Sequence, residues 1–198
     1  MIITPIINKW DKIPLCYPAT FHGLPESADI RRIIEIGPGR GDFLFYLAEK
    51  NPNAEIYAVE LKSKRYFKLI DRITKRGLNN VKLIQADGRR AVTEIFEPDS
   101  VNEIHINFPD PWPKRKHSKN RLVNKIFIEA FMNILRQVVI VSFISDSKSY
   151  VNDILLYASD IYGSGLSIEE NAKVFQTYFA KKWTEDERLF TRLTWKKI

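Results

Sequence analysis

The chain has 198 residues, 44% of them hydrophobic, and a net charge of +7. That length and apolar content exclude a disordered chain and suffice for one domain with its own core. The single cysteine, Cys16, excludes an internal disulfide and fits a reducing cytoplasm. The positive excess points to a polyanionic partner, with nucleic acid ahead of a membrane surface.

Residues 1–29 carry Pro5, Pro14, Pro18 and Pro25 without a clear period. They read as an irregular lead-in to a single domain over 1–198, with Trp10, Tyr17 and Phe21 available to pack on the body. The opening "MIITPIINKWDKIP" has no basic leader, so no signal peptide is expected. No segment nears the roughly 20 apolar residues of a membrane span, and a cytoplasmic protein is expected.

From residue 31 a β/α alternation begins. "RRIIEIG" predicts a first strand, and "GDFLFYLAEK" has Phe43, Leu44, Leu47 and Ala48 at helical spacing. Residues 54–60 form the second strand. Residues 62–76 form a helix with Tyr66, Leu69, Ile70 and Ile73 on one face and Gly77 as its stop. The third strand covers 81–86 and the fourth 101–107. A helix over 120–135 turns Leu122, Ile126, Ala130 and Ile134 to one side. The fifth strand, "QVVIVSFI", precedes a helix over 147–160 with Val151, Ile154, Leu155 and Ala158 inward. Segments 166–171 and 188–197 close the sheet with no helix expected between them. Alternation of this kind implies an α/β fold with a mostly parallel sheet, helices on both faces and an antiparallel finish.

In open sheets of this type ligands bind at the carboxyl ends of the strands. There the first strand delivers Glu35 and then Gly37, Gly39 and Gly41, a G-x-G-x-G turn that lets a ligand approach the backbone. The third glycine arrives one residue earlier than in a dinucleotide fingerprint, and no P-loop lysine follows. Glu60 ends the second strand, where a carboxylate can accept from ribose hydroxyls. Asp87 ends the third, where one can accept from an adenine amine. Three acids at successive strand ends point to an adenosine cofactor.

The fourth strand runs into "NFPDPWPKRKHSKNRL" (107–122). Asp110 sits between two prolines that fix the backbone and so position one carboxylate. Lys114, Arg115, Lys116, Lys119, Arg121 and Lys125 follow with no acid before Glu129, a run suited to phosphates. The cations of helix 62–76 (Lys62, Lys64, Arg65, Lys68, Arg72, Lys75, Arg76) either extend this patch or form a solvated face. Trp112 either stacks on a base or packs under its own loop. His105 reads as a core residue, and His117 is given no catalytic role. Three scattered histidines and one cysteine make no metal spacing, so no metal is expected.

The G-x-G-x-G turn after Glu35 resembles the first motif of class I S-adenosylmethionine-dependent methyltransferases. "NFPDPWPKRKHSKNRL", with "EIGPGRGDFL", "LNNVKLIQADG" and "ISDSKSY" (144–150) in order, resembles the bacterial tRNA (guanine-N7)-methyltransferases. The resemblance implies a Rossmann-like class I fold of about seven strands. It also implies an enzyme that moves a methyl group from S-adenosylmethionine to a guanine in the variable loop of tRNA. By the same resemblance, Glu35, Gly37, Gly39, Gly41, Glu60, Asp87 and Asp110 line the cofactor site, and Asp110 is the catalytic residue. Lys114, Asp146 and Thr177 contact substrate. The chain departs from the pattern at Ala180, where the family has glutamate. Other acceptors, or an RNA-binding protein that keeps the fold without catalysis, are the competing readings, and a monomer is the default assembly.

Overall fold

The computed structural model describes residues 30–161 and 165–197; the lead-in over 1–29, Cys16 included, lies outside the described residues. Seven strands form one sheet: β1 (Arg32–Ile36), β2 (Glu55–Glu60), β3 (Val81–Gln85), β4 (Val101–Asn107), β5 (Leu135–Ser145), β6 (Leu166–Glu169) and β7 (Thr191–Lys197). Their order is β3-β2-β1-β4-β5-β7-β6. The pairs from β3 to β5 are parallel, and β7 runs antiparallel to both β5 and β6. The expected architecture, antiparallel finish included, is therefore the observed one.

Neighbouring residues of β1 explain why both faces are covered. Ile33 belongs to a core with Leu44 and Leu47 of α1 (Asp42–Lys50) and Tyr66 and Leu69 of α2 (Ser63–Arg76). Ile34 faces the opposite core, with Ala91 of α3 (Gly88–Glu94), Phe127 and Phe131 of α4 (Lys125–Ile134), and Ile154 of α5 (Lys148–Ile161). A strand buried on both sides needs a near-continuous apolar run, which "RIIEI" supplies apart from Arg32 and Glu35. Gly77 closes α2 at φ 63° as expected.

Four expectations are corrected. The helix predicted over 120–135 begins at Lys125, because Arg115–Asn120 winds as a 3₁₀ helix, Arg121 is extended, and the Asn124 side chain caps the helix by accepting from the Phe127 N–H at 3.0 Å. Its buried face consequently includes Phe127, Ile128, Phe131 and Met132, while Ile126 is 37% exposed. On α2, Ile70 is exposed and only Tyr66 and Leu69 are fully inward. Two short helices had no expected counterpart: α3, capped by Asp87, and α6 (Tyr178–Glu185), capped by Thr177 and lying between β6 and β7.

Candidate active site

The carboxyl ends of β1, β2, β3 and β4 meet around a cavity of about 300 Å³ that Gly37, Glu60, Asp87 and Asp110 all line. The glycine turn builds one wall. Gly37, Gly39 and Gly41 all have positive φ. A Cβ at Gly41 would stand 2.7 Å from both Leu69 Cδ2 and Phe45 Cζ, so glycine is required there for packing as well as for its φ of 82°. The Gly39 N–H donates to Glu60 Oε2 at 3.2 Å and the Lys62 N–H to Oε1 at 2.8 Å. Two backbone amides thus hold the Glu60 carboxylate still at the cavity wall. Burial still raises its carboxyl above the ordinary range.

Asp87 is less available than its position suggested. Its Oδ1 accepts from the Arg89 N–H and Nε, and its Oδ2 from the Arg89 Nη2 at 2.7 Å. Remaining lone pairs can still accept from a ligand, but beside a guanidinium that also lines the cavity.

Glu35 lies beneath the glycine turn. It is 2% exposed, and its Oε2 has no hydrogen-bond partner among the described residues. Burial, then the Glu60 and Asp42 carboxylates, push its carboxyl up from 4.5 to about 8, against a hydrogen bond with Asn107. The folded chain therefore holds a proton that the unfolded chain releases above the ordinary carboxylate range. The stabilisation this proton gives is complete below about 4.5 and is lost as pH rises through about 8. Thermal melts of the wild type should fall in midpoint across that window, and Glu35→Gln should flatten the fall. Parallel melting curves for the two proteins would mean that Glu35 ionises normally.

The proline loop forms the opposite wall. Phe108 (φ 52°) and Trp112 (φ 44°) hold left-handed backbone that costs non-glycine residues about 1–3 kcal/mol each. They bracket Pro109, Asp110 and Pro111. The Phe108 ring packs edge-on against Trp183 and Phe190, and its N–H donates to the Ile144 carbonyl at 2.9 Å. Trp112 lines the cavity and meets His117 edge-on, so its indole packs within its own loop with one surface toward the ligand space. Asp110 itself is exposed and makes no hydrogen bond or ion pair among the described residues.

Arg121 was grouped with the phosphate-binding run, and this is corrected. It is 5% exposed. It donates to the carbonyls of Pro111 (2.8 Å) and Ser149 (3.1 Å), to Ser149 Oγ and to Asp153 Oδ2 (2.6 Å), and its guanidinium lies over the Tyr150 ring. It is a latch that ties the proline loop to α5. The sequence held no signal for this, since Asp153 is 32 positions away. Lys114, Arg115, Lys116 and Lys119 remain exposed.

A second cavity, of about 370 Å³, adjoins the first, with Asn107 and Phe108 common to both. Phe43, Tyr46 and Phe175 give it aromatic walls, and Phe43 meets the His105 ring edge-on at 5.2 Å. His105 is thus a half-buried wall residue paired with Glu103 at 3.1 Å, not a core residue. Hydrogen bonding to His105 and Arg31 holds the Glu103 carboxyl below its ordinary range. Thr177 lines this cavity while its Oγ1 caps α6 by accepting from the Ala180 N–H at 3.1 Å. The Ala180 methyl is fully buried, so that position brings the cavity no carboxylate. Asp146, at the end of β5, is bound to Arg188 at 2.6 Å. Neither Asp146 nor Lys114 lines either cavity.

A family model described as "Putative methyltransferase" matches residues 30–196. The chain is 31% identical over 153 residues to a tRNA (guanine-N(7)-)-methyltransferase of Thermotoga maritima, a match covering 76% of this chain and 49% of that protein. It is 34% identical over 115 residues to the enzyme of that name from Streptococcus suis, covering 58% of this chain and 54% of the relative. The chain thus spans about half the length of these curated relatives. Among solved structures, the Precorrin-6y C5,15-methyltransferase of Geobacter metallireducens superimposes with a TM-score of 0.62 at 16% identity, over 87% of this chain and 83% of that one. A SAM-dependent methyltransferase of Aquifex aeolicus gives 0.56 at 14% identity, over 83% and 81%. At such identities these two structures speak to the fold alone.

Proposed function

The chain belongs to the methyltransferase family whose model spans its residues 30–196, and on that premise we propose that it transfers a methyl group from S-adenosylmethionine to N7 of a guanine in tRNA. The observation that carries this reading is the convergence of Gly37, Glu60, Asp87 and Asp110 on one cavity that opens beside a second, aromatic one. The names of the curated relatives support the choice of acceptor.

The donor set fits the cofactor. Glu60, already fixed by two amides, has lone pairs left for ribose hydroxyls. Asp87, shared with Arg89, matches the adenine amine, while Glu35, with its carboxyl pushed up to about 8, lines neither cavity and offers no anion to the ammonium of the methionyl part. When bound, S-adenosylmethionine supplies an electrophilic methyl on a sulfonium sulfur.

Guanine N7 carries a lone pair and no proton, so this chain need supply no general base. It must orient the acceptor and exclude water. In this reading the acceptor ring enters the aromatic cavity. Asp110 accepts from the guanine N1–H and N2 amine, which selects guanine, and balances the positive charge that develops on the ring. Lys114, Asp146 and Thr177 contact substrate, with Asp146 doing so from its ion pair with Arg188.

Ala180 favours a second reading, in which the acceptor is another RNA base, because a buried methyl stands where the resembling enzymes carry a carboxylate. Incubating labelled S-adenosylmethionine with unmodified tRNA, then digesting to nucleosides for mass spectrometry, decides between them. The expected product is 7-methylguanosine. A different methylated nucleoside would select the second reading, and no methylation of any RNA would overturn both.

A further inference from the structure

Two cationic ridges flank the mouth of the first cavity. Trp112 and Asn120 line it from the proline-loop side, where Lys114, Arg115, Lys116 and Lys119 are exposed. Lys62 and Arg65, at the start of α2, line it from the other. From there α2 runs away from the cavity, packed against β2 and β3, for 14 residues, about 21 Å at 1.5 Å per residue. Its inward face is set by Tyr66 and Leu69. On the opposite, solvent side, positions 64, 67, 68, 71 and 75 follow the i, i+3, i+4 spacing of one stripe. That stripe reads Lys64, Phe67, Lys68, Asp71, Lys75, all exposed.

Two features of the stripe suit a polyanion. Arg31, Arg90, Arg188 and Arg192 each sit against a carboxylate. Lys64, Lys68 and Lys75 make no ion pair among the described residues, and neither does Asp71. Phe67, in the middle of the three lysines, is 61% exposed, among the most exposed large apolar side chains described. Unneutralised lysines spaced around an open aromatic ring suit single-stranded or loop nucleic acid, where phosphates meet cations and a base stacks on the ring. A membrane-binding helix would need a broad apolar face, and the exposed apolar side chains of α2 are Phe67 and Ile70 alone.

We propose that the outward stripe of α2, Lys64, Phe67, Lys68 and Lys75, docks the tRNA backbone and one unstacked base, so that the RNA is gripped on both rims of the first cavity while the target guanine reaches the adjoining aromatic one. This inference rests on the tRNA reading given above. Its partner is RNA, and the acidic Asp71 keeps the stripe from being a uniform cation surface.

The test compares the wild type with the triple variant Lys64→Gln, Lys68→Gln, Lys75→Gln and with Phe67→Ala. Binding of an unmodified tRNA transcript is followed by fluorescence anisotropy across a salt series, with methylation kinetics and cofactor affinity measured in parallel. The triple variant should bind tRNA about 10-fold to 100-fold more weakly, and the slope of log K against log salt should flatten by about 2 to 3. Its KM for tRNA should rise while kcat at saturating tRNA and cofactor affinity stay at wild-type values. Phe67→Ala should bind about fivefold or more weakly with an unchanged salt slope. Wild-type tRNA affinity and slope in the triple variant would overturn the inference and leave the methyltransferase reading standing. Anionic vesicles bound by the wild type and lost in the triple variant, with tRNA binding unchanged, would overturn it in favour of a membrane surface. A wild type that neither binds nor methylates tRNA would overturn both readings.

Discussion

Asp110→Ala is expected to lower kcat by about 10²–10³-fold while thermal stability and cofactor affinity remain at wild-type values. The separation follows from where the side chain sits. The carboxylate is exposed and without a partner among the described residues, so removing it leaves no buried donor orphaned and no core void. The loop that carries it is held by other groups: Phe108 between Trp183 and Phe190, and Pro111 through Arg121. Asp110→Asn separates the two roles assigned to the group. If charge balance dominates, the amide is as poor as alanine. If recognition of the guanine edge dominates, one acceptor oxygen remains and part of the rate returns. Steady-state kinetics with tRNA as the varied substrate reads the outcome. Near wild-type turnover in Asp110→Ala would remove it from the mechanism.

Arg121→Met should be the most damaging single change in the proline-loop region. A buried guanidinium with four hydrogen bonds leaves two carbonyls, a hydroxyl and Asp153 without their partner when it goes. Asp153 is 38% exposed and regains water, so the cost falls mainly on the orphaned Pro111 and Ser149 carbonyls, about 1–3 kcal/mol each. For a domain of this size that corresponds to a fall of roughly 4–20 °C in melting midpoint. Arg121→Lys should recover little, because a single ammonium cannot reach Pro111 and Ser149 with the geometry of a planar fork. The useful readout is activity well below the melting transition of each variant. Loss of kcat there, with cofactor affinity kept, would mean that the latch positions Asp110. Activity recovering fully at low temperature would reduce Arg121 to a stabilising residue.

What the sequence revealed, and what it concealed, divides along local and long-range lines. The strand run of β4 and the helix stop at Gly77 were legible because apolar runs and a left-handed glycine are local signals. The strand-end acids Glu60 and Asp87 were legible because topology puts the ends of parallel strands together. The late start of α4 was not, since the 3₁₀ winding of Arg115–Asn120 leads into an arginine whose partners lie on α5. Nor was the pairing of Asp87 with Arg89, although the two are neighbours, because a capping geometry decides it. The positive φ of Phe108 and Trp112 had no residue-type signal at all.

The position of β7 governs the order in which this molecule can be assembled. Strands β1 to β5 can pair as they leave the ribosome, each beside one already made. β6 cannot, because its one neighbour in the sheet is β7, which is synthesised after it. Until Thr191–Lys197 arrives, β5 is an open edge with unsatisfied backbone groups over the seven residues Val139–Ser145, Ile140 among them, and such an edge invites pairing with another chain. The aromatic cavity also waits on this step, since Arg192 of β7 lines it beside Ser142 and Ile144 of β5. A nascent chain short of Thr191 would thus hold a nearly finished first cavity beside an unfinished aromatic one, with the β5 edge open to aggregation.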